Sequence, residues 1–195
     1  MLSFFFVNTW PYYLFYFVTI LWIGEFFIFP SHLQKQNKEE RKSFFFILLF
    51  ILIIILLNFI FGMFQIGNIQ DQMIRELFNY VGIILYIIGL ILRYVSIMHL
   101  GRFFTRNVVV SEQHELISTG PYKILRHPLY LGLFLLSTSV TLFFSNIFLI
   151  PISYVFMGYI LNHRMVLEED ILETQLGTRY TEWKRARYKF IPFIY

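Results

Sequence analysis

Residues 120–132 read GPYKILRHPLYLG and stand where a polar segment gives way to a run of apolar residues. Gly120-Pro121 makes a tight turn, Arg126 and His127 place polar groups at headgroup depth, and Pro128 fits the first turn of a helix that continues through Leu131 to Phe143. Side chains with an apolar body and a polar tip suit that depth. The stretch reads as a helix start at a membrane interface. Taken alone it demands an anchor and no chemistry.

Working outward, the same boundary recurs. Residues 129–144 and 147–161 are apolar runs separated only by Ser145-Asn146, a tight helical hairpin. The second run has no stop at Leu161; strong helix formers continue from Arg164 to Leu176, and Gly177 is a C-cap. Upstream, residues 11–29, 43–64 and 80–98 are each about long enough to cross ~30 Å of hydrocarbon. The linker 65–79 holds turn formers and the isolated pair Arg75 and Glu76. Gly82 and Gly89, seven apart, put small residues on one face of the third run for close packing, and Arg93 in its last third can snorkel. Glu25 lies inside the first run, where a carboxylate is a functional hypothesis by default. Pro30 follows within about a turn and a half, so Glu25 is expected near the headgroups. The longest polar connection, 100–125, contains Val108 to Val110 and apolar residues enough to be ordered. The tail from Thr178 is basic and aromatic, and its apolar end FIPFIY is expected to lie back on the bilayer surface.

The predicted fold is an all-α integral membrane protein of five transmembrane helices, spans 4 and 5 forming the hairpin, in one domain over residues 1–195. Composition agrees: 57% hydrophobic and 14% charged residues exclude an ordinary soluble domain and leave no room for a separate catalytic one. The absence of cysteine excludes disulfides, thiolate nucleophiles and cysteine metal sites. The N-terminus lacks a basic n-region, so no cleaved signal peptide is expected.

Charge sets the orientation. Of the 16 Lys and Arg residues, 14 fall in the segment after span 1, the connection before the hairpin and the tail from Arg164, with Arg75 opposite and Arg93 inside span 3. By the positive-inside rule that side is cytoplasmic and the N-terminus outside. The net charge of +4 is thereby explained by the membrane, without nucleic acid.

The cytoplasmic face then collects His114, Tyr122, Arg126, His127, Tyr130, Arg164, Glu168 and Glu169. Arg164 and Glu168 share one helix face, while Glu169 points about 100° away. On spacing alone a solvated, salt-bridged helix exit is the better account of that trio. No metal is expected: HxxxH and HExxH do not occur, and Arg164 opposes a cation next to His163. Phosphate cradles, GxGxxG loops and a GxSxG elbow are absent too.

LGRFF at 100–104, HELISTGPYKILRHPLYLG at 114–132, RMVLEEDIL at 164–172 and LGTRYTEWKRARYKFIPFIY at 176–195 together resemble the isoprenylcysteine carboxyl methyltransferase family, which is related to the membrane phospholipid N-methyltransferases. The resemblance covers residues 100–195 as a catalytic core, whereas residues 1–64, the first two spans, carry no family signature. It implies a membrane enzyme that moves a methyl group from S-adenosylmethionine to a carboxylate or hydroxyl of a lipophilic or prenylated acceptor, at a cytoplasmic site formed by a connecting segment and a C-terminal helix. Cofactor contacts carry over to His114, Leu116, Ile117, Tyr122, His127, Pro128, Leu129, Tyr130 and Glu168, with Asn107 a weaker match. The arginine for a substrate carboxylate matches Arg164, with Arg126 second.

These types suit the chemistry. A Glu can meet hydroxyl or cationic groups of the cofactor, and histidine or backbone donors can meet its acceptors. A carboxylate nucleophile needs no base, only an arginine to orient it; an amine must lose a proton, for which Glu169 is the candidate. Alternatives are N-methylation of a phospholipid amine, a non-enzymatic membrane scaffold, and a membrane reductase using NADPH.

Overall fold

Proline, glycine and asparagine set the element boundaries in the computed structural model, which describes residues 10–29, 38–101, 104 and 116–192. Five long helices follow the apolar runs: α1 (Trp10–Ile28), α2 (Lys38–Phe64), α3 (Gln72–Leu100), α4 (Pro128–Phe143) and α5 (Leu149–Leu176). A short 3-10 turn, Gly120–Lys123, precedes α4, and a sixth helix, α6 (Thr178–Arg185), follows Gly177. Among the described residues β pairing is confined to two isolated bridges, Asn68 with Asn146 and Leu125 with Tyr188. By length and composition, α2 and α3 are the described helices long and apolar enough to cross a membrane.

The expected linker is shorter than its composition implied. Asp71 caps α3, accepting from Ile74 N at 2.9 Å, so Arg75 and Glu76 belong to the first helical turns. The hairpin turn is fixed by Asn146, whose Oδ1 accepts from Phe148 N and Leu149 N at 3.1 Å each while Nδ2 donates to Ile66 O at 2.8 Å. One asparagine thereby caps α5 and ties the hairpin to the α2–α3 link.

Two apolar clusters hold the helices. Phe15, Val18 and Trp22 of α1 pack with Ile83, Tyr86 and Leu90 of α3 and Leu136, Val140 and Phe143 of α4. Phe15 stacks on Phe143 at 4.3 Å between centroids. Ile47 of α2, Met157, Leu161 and Met165 of α5, and Phe190 of the tail form the second.

Helices α3 and α4 meet backbone to backbone, as the glycine spacing predicted. A Cβ on Gly82 would lie 2.8 Å from Phe143 N, and one on Gly89 would lie 2.9 Å from Gly132 O. Gly89→Val is therefore expected to lower the melting temperature in detergent, with a cost of about 1–3 kcal/mol for overpacking. Gly158→Ala, whose new Cβ would sit 3.8 Å from Phe134, should be nearly silent in the same assay.

Two expectations fail here. Glu25 is 0% exposed, and instead of reaching the headgroups it pairs with Arg93, which does not snorkel. Arg93 Nε donates to Glu25 Oε2 at 2.6 Å and Nη2 donates to Oε1. In the low dielectric between α1 and α3 neither charge could stay buried without the other, and removing one partner alone costs about 3–5 kcal/mol. The tail also departs from expectation. Phe190 is 7% exposed in the second cluster rather than on a bilayer surface, because the backbone before it is drawn inward by pairing. Residues 193–195 lie outside the described residues, as do 105–115, which include the β-prone valines.

Candidate active site

The sequence 120–132 builds the floor of a polar cluster. Gly120 has a φ of +55°, and a Cβ there would run into the His99 ring, so only glycine permits this turn against the end of α3. His99 Nδ1 and Thr119 Oγ1 close the contact at 3.0 Å. Leu125 then bridges Tyr188 in parallel: Tyr188 N donates to Ile124 O at 3.0 Å and Arg126 N to Tyr188 O at 2.8 Å. His127 N donates to Lys189 O at 3.2 Å. Pro128 opens α4 at its first position, where its missing N–H is no loss.

Above this floor, α4 and the emerging end of α5 exchange side chains. Tyr130 Oη donates to Glu168 Oε2 at 2.7 Å and receives Arg164 Nε at 3.2 Å, so the tyrosine links two residues one turn apart on α5. Glu169, rotated away from Glu168, takes the other half of the motif: Arg126 Nη1 at 2.8 Å and His127 Nε2 at 3.0 Å both meet its Oε1. His127 is 4% exposed and Arg164 2%. The solvated helix exit is thereby set aside, since Arg164 is buried, the two glutamates are half-buried, and all three are bonded to residues of α4 or the segment before it.

Burial works to raise the Glu169 carboxyl, but the His127 hydrogen bond and the charges of His127, Arg126 and Lys189 outweigh it and hold the group below its ordinary value of 4.5. A depressed carboxyl stabilises the fold above its unfolded value and ceases to as pH falls through the folded one. The melting temperature should thus decline below about pH 4.5, and Glu169→Gln should flatten that acid limb. Burial, with Glu168 and Tyr130 next, pushes the Tyr122 phenol well up, and burial together with Glu169 and Glu168 raises Tyr180. Both stay neutral donors.

Of the residues singled out from sequence, Arg126, His127, Tyr130, Arg164, Glu168 and Glu169 come together in this cluster. Tyr122 is buried beside it with Ser96 as hydrogen-bond partner. Leu129 offers its carbonyl to Arg93 Nη1 at 3.4 Å, and Pro128 is buried. Leu116 and Ile117 are half-buried at the edge of the described segment. Neighbouring Ser118 accepts from Trp183 Nε1 at 3.0 Å, which holds that segment to α6. Asn107 and His114 lie outside the described residues.

Sequence reading missed the tail's contribution. Arg187 Nε donates to Tyr122 O at 2.7 Å while its guanidinium covers the Trp183 ring at 4.4 Å, and Lys189 Nζ reaches Asn162 Oδ1 at 3.0 Å. The polar and apolar alternation of Arg187, Tyr188, Lys189 and Phe190 marks the segment as extended chain but does not name its partners.

Two buried donors near the carboxylates, Tyr180 Oη and Arg126 Nε, have no hydrogen-bond partner among the described residues. Buried polar groups without partners are costly, so a ligand with acceptors suits this place. Elsewhere on α5, Lys42, Ser43, Phe46, Leu49, Phe50 and Ile53 of α2 face Tyr159, Ile160 and His163 across a groove of about 420 Å³, within the range of small-molecule sites.

Residues 82–174 match the Isoprenylcysteine carboxyl methyltransferase (ICMT) family. The resemblance read from the sequence is borne out, and the match contains the whole of α4, the motif before it and the Glu pair. Among similar proteins, the probable protein-S-isoprenylcysteine O-methyltransferase of Oryza sativa subsp. indica is 30% identical over 122 residues, 60% of this chain and 62% of that protein. The protein-S-isoprenylcysteine O-methyltransferase of Dictyostelium discoideum is 32% identical over 122 residues, 60% of this chain and 50% of that one. The chain thus spans less than two thirds of these ICMT relatives. A solved structure of the eukaryotic intramembrane Ras methyltransferase ICMT superposes with a TM-score of 0.65 at 20% identity, covering 99% of this chain and 71% of that one. The helical layout is therefore shared with that solved structure, and α1 lies outside the family match.

Proposed function

We propose that the chain is a membrane methyltransferase that esterifies the carboxylate of a lipophilic, isoprenylcysteine-like acceptor with the methyl group of S-adenosylmethionine. The observation that carries this reading is the hydroxyl of half-buried Tyr130, shared between Glu168 and Arg164 within the segment that matches the family. Glu168 would hold hydroxyl or cationic groups of the cofactor, and Tyr122, His127, Tyr130 and Tyr180 would supply donors and a wall. When bound, S-adenosylmethionine supplies an electrophilic methyl group on a sulfonium.

Arg164 would hold the acceptor carboxylate by its planar fork and aim one oxygen, which as an anion needs no base. Burial of Arg164 and His127 excludes water, and methyl transfer between opposite charges gains from a dry site. Glu169 would serve as positioning residue for Arg126 and His127. Its Oε1 already accepts from Arg126 and His127, which argues against it as the free base that a phospholipid amine would need. The apolar groove between α2 and α5, with Lys42 and His163 among its lining, suits a hydrocarbon chain with an anionic head.

In this reading all five long helices cross the bilayer, with the N-terminus outside and the cluster and tail cytoplasmic, since 14 of the 16 basic residues fall on that side. Helix α5, with 28 residues, is about 42 Å long and outruns ~30 Å of hydrocarbon, so Glu168 and Glu169, about 29–30 Å from its start, would stand at the far edge of the bilayer.

The test is purified protein in liposomes with methyl-labelled S-adenosylmethionine, offered either S-farnesylcysteine with a free carboxylate or phosphatidylethanolamine. Base-labile label on the former supports the reading. Label only on the phospholipid makes the protein an N-methyltransferase; no label with either, together with NADPH binding, makes it a reductase.

A further inference from the structure

The first turn of α4 does not cap itself: His127 stands at the N-cap and makes no side-chain capping bond. Its orientation is imposed from outside, on one flank by the tail's Tyr188 and Lys189 and on the other by Arg93. The aliphatic stem of Arg93 lies on Gly132, where a Cβ would come within 2.6 Å of Arg93 Cγ, and Nη1 reaches Leu129 O at 3.4 Å. Leu129 and Gly132 bracket Tyr130, so whatever fixes the guanidinium fixes the tyrosine's helix.

A guanidinium on an arginine that is only 8% exposed keeps its place only with a countercharge. Glu25 of α1, fully buried, supplies both oxygens, and Tyr94 Oη pins the same stretch of α1 through Leu21 O at 2.8 Å. Without Glu25, solvation would draw Arg93 toward the interface and away from Leu129.

We propose that Glu25 and Arg93 are positioning residues, through which α1, outside the family match, holds the first turn of α4 and its Tyr130 in register with Glu168. The catalytic consequence rests on the methyl-transfer reading above; the structural part does not.

The test is E25M/R93M in the full chain, because replacing a buried ion pair by apolar side chains of similar volume is often neutral or stabilising. Three quantities are read: melting temperature, amide exchange, and kcat and KM with labelled S-adenosylmethionine and S-farnesylcysteine. The variant is expected to melt no lower than the wild type. Amide exchange should quicken at least about tenfold in residues 129–133 and stay unchanged in 149–161, and kcat should fall at least about tenfold with little change in KM, since small misplacements are costly in rate. Wild-type exchange in residues 129–133, or wild-type kcat, would overturn the proposal. So would a kcat loss that appears only with a lowered melting temperature, which marks a merely structural pair. If the wild type itself transfers no methyl group, the methyl-transfer reading fails and the exchange measurement alone decides this one.

Discussion

Glu168→Ala is expected to weaken S-adenosylhomocysteine binding by more than about a hundredfold, because charge-assisted hydrogen bonds contribute about 1.5–3 kcal/mol each and every 1.4 kcal/mol is tenfold. The carboxylate does two things at once. It accepts from Tyr130, and by the proposed role it receives hydroxyl or cationic groups of the nucleotide. Truncation also leaves the Tyr130 hydroxyl without its carboxylate acceptor, although Arg164 still donates to it. Glu168→Gln keeps an oxygen for Tyr130 and loses the charge, so it should fall between the two. Calorimetry in detergent reads all three proteins. Binding by the alanine variant within about threefold of wild type, under 1 kcal/mol, would remove Glu168 from the site.

Arg164→Ala should give the opposite pattern, with S-adenosylhomocysteine affinity close to wild type and kcat lower by about a thousandfold, the upper range for removal of one preorganised charge donor. Tyr130 keeps Glu168 when Arg164 is gone, so the nucleotide side of the cluster retains its main contact. The acceptor carboxylate loses its fork. Arg164→Lys preserves the charge without the planar pair of donors and should recover little of the rate. Single-turnover methyl transfer, measured alongside calorimetry, separates the two roles. Full turnover by the alanine variant would require another residue, such as Arg126, to hold the carboxylate, although Arg126 is already committed to Glu169.

Much of the helical frame was legible because burial and bilayer exposure write themselves into long apolar runs. The hairpin at Ser145-Asn146, the continuation of α5 to Gly177 and the Gly82 and Gly89 packing face all follow from local signals. The convergence of His127 with the Glu pair was legible in motif order, although which carboxylate meets which partner was not. A hundred-degree rotation between Glu168 and Glu169 says that they differ, and only the packing of α4 on α5 says that Tyr130 takes one and His127 the other.

The Glu25 and Arg93 pair escaped because 68 residues separate the partners and Pro30 made a shallow Glu25 the simpler expectation. Helix rotation about α1, set by Phe15, Val18 and Trp22 facing α3, turned it inward. The tail escaped for a related reason. FIPFIY is apolar enough for a membrane surface, and nothing local tells that Tyr188 and Lys189 pair with Leu125 and His127 sixty-odd residues earlier.

That last pairing bears on how the molecule can be disabled. Because Tyr188 and Lys189 clamp the backbone on both sides of Arg126, a single proteolytic nick after Ala186 would leave the five long helices uncut and yet unfasten the motif between them. Such a clipped polypeptide would still fold into lipid and pass as intact by its helix content, while its arginine and histidine swung loose.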